Sequence, residues 1–226
     1  IRALKMHGGV EKDDLKKENL ESLKKGLPNL ERHVQNIKQF GLQIIVAINH
    51  FVTDTDKEIQ AVKDLASENG VKAIECTHWS NGGNGTTELA EEVVKLANSG
   101  VASFAPLYPN DMAIWDKIKT VATRLYRADD IIADKKIRAQ IRKFEDDGYA
   151  HFPICIAKTQ YSFSTDPNLK GAPNNHVMAI REVRLSAGAG FIVVVCGDIM
   201  TMPGLPRVPA ANNIDVDETG KISGLF

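Results

Sequence analysis

Apolar runs and helical stripes alternate between residues 43 and 96. Residues 43–48 form a run rich in β-branched side chains, and residues 71–76 form a second run. A helical stripe around residues 59–66 separates the two. Runs of this kind are typical of parallel strands that are buried on both faces. Strand, loop and helix in this order predict βαβ units, and therefore an α/β fold with a parallel sheet.

Two polar loops follow the predicted strands, and each contains one aromatic residue. Phe51 lies after the first strand and Trp79 lies after the second. Ligands of parallel sheets bind at the carboxyl ends of the strands. The two rings could therefore form a slot for a planar heterocycle, which stacking would stabilise. The alternative is that both rings are core aromatics at a seam between domains.

The first forty residues predict one strand-like segment and two helices. Residues 1–6 have an apolar, strand-like composition. Residues 20–27 and residues 30–37 each carry a helical stripe, and Pro28 lies between them. Because proline disrupts the interior of a helix, we expect Pro28 to begin a second helix.

The second half of the chain predicts a different kind of domain. Its helical stripes and short strands fall at residues 114–125, 137–144, 152–157, 177–183 and 191–196. This pattern favours an α+β subdomain with a soft boundary near residues 103–110. We therefore divide the chain into the α/β portion, residues 1–105, and a smaller α+β subdomain, residues 106–226. From residue 202 onward the chain is expected to consist mostly of turns.

Charge and cysteine usage narrow the class of protein. The formal net charge of −1 implies no general attraction to nucleic acid or to a membrane surface. No apolar run approaches the roughly 20 residues of a membrane span, and the first residues have no targeting character.

The three cysteines, Cys76, Cys155 and Cys196, lie far apart and are odd in number. This usage predicts buried, reduced thiols in a cytoplasmic protein.

No metal site is expected from the histidines or the acidic residues. His50 and His78 lie in the two strand-end loops, but a metal site would need a third ligand that the sequence does not indicate. Asp54 and Asp56 could form a carboxylate pair, yet their position at the start of a helix is explained by N-capping and the helix dipole.

The glycine-rich segments give no nucleotide fingerprint. Residues 80–85 precede a helix and could offer backbone amides to an anion, although a tight turn is the favoured interpretation. Residues 186–190 precede a strand and do not match G-x-G-x-x-G. The phosphate-binding sequence G-x-x-x-x-G-K-[ST] does not occur in the chain.

Several segments of the chain resemble the formate–tetrahydrofolate ligase (10-formyltetrahydrofolate synthetase) family. They include IRALKMHGG, AINHFVTDT, Trp79 with the glycines that follow it, FPICIAKTQ, LSAGAGF, GDIMTMPGLP and the final GLF. The match extends from the first residue to the last, and the chain resembles the C-terminal part of that family.

The resemblance implies ATP-driven ligation of formate to tetrahydrofolate. In this family formyl phosphate forms first, and the products are 10-formyltetrahydrofolate, ADP and phosphate. The resemblance also implies a fold related to P-loop NTPases with added domains, a requirement for Mg²⁺, promotion by a monovalent cation, and a homotetramer.

The resemblance assigns binding roles to a few residues of this chain. By motif position, the Phe and Trp between which the family stacks the pterin correspond to Phe51 and Trp79. Asn49 and Asp54 are assigned a nucleotide or loop-ordering role. Ser186 and Gly188 are assigned to the nucleotide side of the cleft. No residue is assigned to catalysis or to a metal.

The family's phosphate loop and formate site belong to a part that precedes Ile1 in the resemblance. Positioning and charge stabilisation supply most of phosphoryl-transfer catalysis, so we expect this chain to be inactive alone. A start without Met favours a piece of a longer enzyme. The alternatives are one subunit of a two-chain enzyme and a non-enzymatic folate-binding or assembly module.

Overall fold

The computed structural model describes residues 1–199 and 207–224. The helices are α1 (Arg2–His7), α2 (Leu20–Lys38), α3 (Asp56–Glu68), α4 (His78–Asn81), α5 (Thr87–Asn98), α6 (Ile114–Arg124) and α7 (Lys135–Phe144). The strands are β1 (Ile45–Asn49), β2 (Lys72–Cys76), β3 (Asp130–Ile132), β4 (Ile154–Ala157), β5 (Val177–Ser186), β6 (Phe191–Cys196), β7 (Asp215–Val216) and β8 (Ile222–Ser223). The structure is therefore a mixed α/β fold with parallel strand pairs, as the sequence predicts.

β1 and β2 form the parallel pair expected from the βαβ pattern. Their register sets Asn49 opposite Cys76, so the two strands end at the same edge. The prediction that β1 is buried on both faces is wrong, because only Ile48 of this strand is buried and Ala47 is exposed. One face packs on α2 and α3. The other faces α5, which has no buried residue in the structure.

The predictions for the first forty residues are wrong in two places. The predicted strand at residues 1–6 is the helix α1, and the two predicted helices are one continuous helix, α2, with Pro28 inside it. Tertiary contacts explain both differences. A Cβ on Gly8 would lie 1.8 Å from the carbonyl oxygen of Ser22, so the backbones of α1 and α2 are in direct contact. The free energy gained from packing α2 against α1 outweighs the helix-destabilising effect of one proline inside α2.

The second half forms a four-stranded mixed sheet in the order β3-β5-β6-β4. β3 is parallel to β5, β4 is parallel to β6, and β5 is antiparallel to β6. The sequence predicted α6, α7, β4, β5 and β6, but it did not predict β3. A hydrophobic core between this sheet and helices α6 and α7 includes Ile118, Ile141 and Met178.

A second hydrophobic cluster lies in the first half of the chain, around Leu23, Ile48 and Val62. The division into residues 1–105 and 106–226 stays a proposal. The turns predicted at residues 202–206 lie outside the described residues, and after them β7 and β8 form a short antiparallel hairpin.

All three cysteines have free thiols, and Cys76 and Cys196 are buried. Cys155 is exposed, contrary to the prediction, because its side chain points away from the core along β4. Within the described part of the chain, no helix has the length and apolar character that a membrane span requires.

Candidate functional site

The loop after β1 is held in place by the carboxylate of Asp54. Its Oδ2 accepts a hydrogen bond from the backbone N–H of Phe51 at 3.0 Å, and the backbone N–H of Asp54 donates to the Phe51 carbonyl at 2.8 Å. The N-cap of α3 is Thr55, which forms a capping box with Glu58. Asp54 was predicted as the cap, so that prediction is wrong. Its carboxylate instead closes the turn that contains Phe51.

Two further contacts fix the start of this loop to β2. The backbone N–H of His50 donates to the carbonyl of Cys76 at 3.1 Å, which extends the strand pairing by one residue. The Nδ1 atom of His50 lies 2.9 Å from Oε1 of Glu75. The described partner of the His50 ring is therefore a carboxylate. Within residues 1–199 and 207–224, no cluster of three His, Cys, Asp or Glu side chains could hold a metal ion.

Helix α1 covers one face of the Phe51 ring. The guanidinium carbon of Arg2 lies 3.8 Å from the ring centroid, a distance at which the cation is attracted to the π face. Phe51 itself is half-buried, and so is Arg2. The position of α1 therefore determines how much of the Phe51 ring is open to a ligand.

A buried ion pair anchors α1 to α3. The Nζ atom of Lys5 lies 3.0 Å from Oε1 of Glu58, and both side chains are fully buried. Lys5 also donates to the carbonyl of Lys17, and Glu58 accepts from the backbone N–H of Asn19. Burial alone would raise the pKa of Glu58, but hydrogen bonds from Asn19, Lys5 and Thr55 outweigh burial and lower it.

The loop after β2 carries Trp79 on the short helix α4. The loop closes where the backbone N–H of Thr77 donates to the carbonyl of Gly85 at 3.0 Å. A Cβ on Gly85 would lie 2.5 Å from the carbonyl carbon of Thr77, so only glycine fits there. Residues 82–86 form a 3₁₀ turn, in agreement with the favoured interpretation of this segment as a turn.

Phe51 and Trp79 lie in loops that leave the same edge of the β1–β2 pair. Phe51 is two residues beyond Asn49, and Trp79 is three residues beyond Cys76, its partner in the register. Trp79 is 76% exposed, so it does not pack in either hydrophobic cluster of this chain. This edge presents one half-buried ring and one exposed ring, together with the amide of Asn49.

The structure does not bring Ser186 and Gly188 to this edge through any described contact. Ser186 is the last residue of β5 and pairs with Phe191 at the start of β6, and Gly188 lies in the 3₁₀ turn that connects the two strands. Ala157, at the end of β4, pairs with Val195 near the end of β6. The connection therefore lies at the end of the four-stranded sheet opposite the end of β4. The nucleotide-side role of Ser186 and Gly188 stays a prediction.

Sequence reasoning missed a polar cavity that opens at the end of β4. The cavity has a volume of about 240 Å³, and its lining includes Lys158, His33, His7, Tyr126 and Phe163. Burial lowers the pKa of Lys158 to about 8. Lys158 directly follows an apolar strand, so the strand-end rule that selected Phe51 and Trp79 also selects Lys158.

Comparisons with known proteins agree over the whole chain. The family profile of formate–tetrahydrofolate ligase matches residues 1–226. The chain is 58% identical over 226 residues to the formate–tetrahydrofolate ligase of Roseobacter denitrificans. It is 60% identical over 226 residues to those of Sinorhizobium fredii and Pelagibacter ubique. Each alignment covers 100% of this chain and 40% of the relative, so the chain spans about two fifths of the length of these relatives.

Proposed function

Because the chain belongs to the formate–tetrahydrofolate ligase family, we propose that it is the folate-binding part of an enzyme that joins formate to tetrahydrofolate. The observation that carries the proposal is the pair of rings, Phe51 and Trp79, in loops at one edge of a parallel strand pair. Planar heterocycles bind such edges and stack on aromatic faces.

The proposed role of Phe51 and Trp79 is to stack the pterin ring between them. Arg2 covers one face of Phe51, so the pterin would stack on the opposite face. The exposed ring of Trp79 would supply the second wall of the slot and become covered when folate binds. Stacking on such a ring adds roughly 1–3 kcal/mol to the binding of a heterocycle.

The proposed reaction consumes ATP, passes through formyl phosphate and gives 10-formyltetrahydrofolate, ADP and phosphate. In this chain no G-x-x-x-x-G-K-[ST] sequence is present to cradle the phosphates. We therefore assign no residue here to Mg²⁺, to the monovalent cation or to catalysis, and propose that a missing N-terminal part of the enzyme supplies the phosphate site.

Residues on the nucleotide side are proposed from their positions. Asn49 ends β1, and Asp54 has one carboxylate oxygen, Oδ1, that is buried and accepts no hydrogen bond from the described residues. Since buried acceptors are ordinarily satisfied, an amino or ring N–H group of a base that displaced the cover over this oxygen would complete its hydrogen bonding. The proposal for Ser186 and Gly188 is supported by the family motif alone.

The assembly proposals follow from the family. We propose that residues 1–105 have a fold related to P-loop NTPases and that residues 106–226 form a smaller subdomain. We also propose that the enzyme is a homotetramer. A cytoplasmic location is proposed because it suits three free thiols. The partners are formate, tetrahydrofolate and ATP, with no nucleic acid and no membrane.

Calorimetry of tetrahydrofolate binding to the chain tests the proposed slot. We expect Trp79→Ala to weaken binding by roughly 1–3 kcal/mol because one stacking wall is lost. Trp115→Phe is the matched control, since Trp115 packs against the core of the second half and under Arg138. Equal affinities of the two variants would rule out the slot.

An activity assay separates the enzyme from a non-enzymatic folate-binding module. Formation of 10-formyltetrahydrofolate from formate, ATP and tetrahydrofolate is measured with the chain alone and with an N-terminal part of a family member added. We expect no turnover alone and turnover in the mixture. Folate binding without any rescue would favour the binding module instead.

A further inference from the structure

Lys158 carries a cationic group that the structure leaves without an acidic partner. Its Nζ donates to the backbone carbonyls of Thr159, at 3.1 Å, and Ser162. The same atom lies 4.9 Å from the centroid of the Tyr126 ring. Within residues 1–199 and 207–224, no carboxylate lies within ion-pair distance of it. An ammonium group has three N–H donors, so one donor remains for a ligand in the cavity.

Two histidines face the same cavity from α1 and α2. The backbone N–H of Gly171 donates to Nδ1 of His7 at 3.0 Å, so neutral His7 carries its proton on Nε2. The His33 ring packs on Phe163 with centroids 4.7 Å apart, and its ring nitrogens make no hydrogen bond to the described residues. Both imidazoles therefore have an unused ring nitrogen.

The charges around the cavity are mainly positive. Burial lowers the pKa of His7, and the charges of Lys170 and His33 lower it further. Burial also lowers the pKa of His33, and the charge of Lys158 adds to that effect. The other charged or titratable groups packed around this region are Arg32, Arg127, His176, Asp129, Cys155 and Cys196. Asp129 is the one carboxylate in that set, and its charge favours the protonated form of His176.

A half-buried cation of this kind is stabilised when an anion binds beside it. Burying an uncompensated charge is unfavourable, and a carboxylate or phosphate oxygen within hydrogen-bond distance removes most of that cost. The cavity volume of about 240 Å³ is several times the roughly 30 Å³ of one water molecule. It therefore has room for such a group with further atoms attached.

We propose that the cavity between α1, α2 and the loop after β4 binds a small oxyanion, a carboxylate or a phosphate group, held by the ammonium group of Lys158. His33 and His7 supply further donors. The cavity is separate from the edge that carries Phe51 and Trp79, and its test uses no folate. The outcome is therefore independent of the proposed function.

Anion titrations monitored by NMR of the histidine C2–H resonances test the proposal on the intact chain. Sodium acetate represents carboxylates and inorganic phosphate represents phosphate groups, with sodium chloride as the ionic-strength control. We expect saturable shifts of the His33 and His7 resonances with acetate, phosphate or both, and the anion that saturates identifies the source. His33→Phe keeps a ring against Phe163 and identifies the His33 resonance.

Lys158→Gln and Lys136→Gln form the matched pair. Lys136 is exposed at the start of α7, so its variant changes net charge equally without touching the cavity. We expect Lys158→Gln to weaken anion binding about tenfold or more, the size of one charge-assisted hydrogen bond. Equal affinity in the two variants, or no saturable shift with either anion, overturns the proposal.

The pH dependence of acetate binding gives a second test that needs no variant. The pKa of Lys158 is lowered to about 8, so its positive charge is largely present at pH 7 and largely lost at pH 9. Burial and neighbouring cations lower the pKa of His7 and of His33, so loss of charge on Lys158 is the main change expected over that range. We expect affinity to fall by nearly tenfold between pH 7 and pH 9. Constant affinity over this range contradicts the proposal.

Discussion

Replacing Lys5 with Met removes one partner of the buried pair with Glu58 and keeps the length of the side chain. Both members are fully buried and their charged atoms lie 3.0 Å apart. Removing one partner of a buried pair costs about 3–5 kcal/mol, because the other charge is left uncompensated. Glu58 keeps the backbone N–H of Asn19 at 2.9 Å and that of Thr55 at 3.3 Å. We therefore expect a loss near the lower end, about 3 kcal/mol.

Urea unfolding at pH 7, monitored by circular dichroism, measures this loss. The double variant Lys5→Met, Glu58→Gln should lose less stability than Lys5→Met alone, since no buried charge remains and a glutamine oxygen can still accept from Asn19. Lys25→Met is the control, because it breaks the exposed pair of Lys25 with Glu21. We expect no measurable change in the control.

The pH dependence of unfolding provides an internal check on the same pair. The pKa of Glu58 is lowered from its ordinary value of 4.5, so the folded state binds this proton less readily than the unfolded state. The stabilisation is therefore present above pH 4.5 and lost as the pH falls through the lowered folded value. The reasoning fails if Lys5→Met costs less than about 1 kcal/mol, or if the double variant is as unstable as the single one.

The remaining predictions concern Lys158 and Gly85. The folded-state pKa of Lys158 is about 8 against an ordinary 10.5, so the unfolded chain holds this proton over a pH range where the folded chain has lost it. The free energy of unfolding of the wild-type chain relative to Lys158→Met, measured by urea unfolding, should therefore rise by about 1 kcal/mol from pH 8 to pH 9. The same pH dependence of this free energy in both proteins would contradict the prediction. Gly85→Ala forces a Cβ to 2.5 Å from the Thr77 carbonyl carbon, so it should displace the Trp79 loop and weaken tetrahydrofolate binding in calorimetry. Gly83→Ala is the control, because nothing lies within 4 Å of a Cβ there, and equal affinity in both variants would exclude this role of Gly85.

Local sequence patterns were sufficient to predict the parallel strand pair and its two loops. Strands that are buried or half-buried are the structures most typical of the two apolar runs, which end at Asn49 and at Cys76. The helical stripe between the runs then requires a parallel crossover. The edge that carries Phe51 and Trp79 follows directly from that topology. This is why the edge from which both loops leave could be predicted without coordinates.

The errors occur where distant contacts override local preference. Pro28 is tolerated inside α2 because side chains of that helix are tied to the other half of the chain. Asn29 donates to the carbonyl of Gly171, and Arg32 donates to the carbonyls of Ala172 and Pro173. No pattern within α2 indicates these partners, which lie about 140 residues away along the chain.

The position of Lys158 at a strand end could be read from the sequence, but the cavity around it could not, for the same reason. A lysine after an apolar strand is ordinarily solvated. This one is half-buried because Tyr126, the loop after β4 and residues of α1 and α2 surround it. His7 and His33 come from segments more than a hundred residues earlier, and neither has a metal-like or catalytic spacing. The cavity is thus a product of tertiary packing, whereas the Phe51 and Trp79 edge is a product of secondary-structure order.

Helix α1 connects the two candidate sites. Arg2 lies on the Phe51 ring, Lys5 is anchored to Glu58, and His7 lines the Lys158 cavity. At about 1.5 Å of rise per residue, Arg2 and His7 are separated by only about 7.5 Å along the helix axis. A displacement of α1 therefore changes the open face of Phe51 and the donor positions in the cavity together. For this reason Lys5→Met, which releases the anchor in the middle of α1, should disturb both sites, whereas Gly85→Ala acts on the Trp79 loop alone.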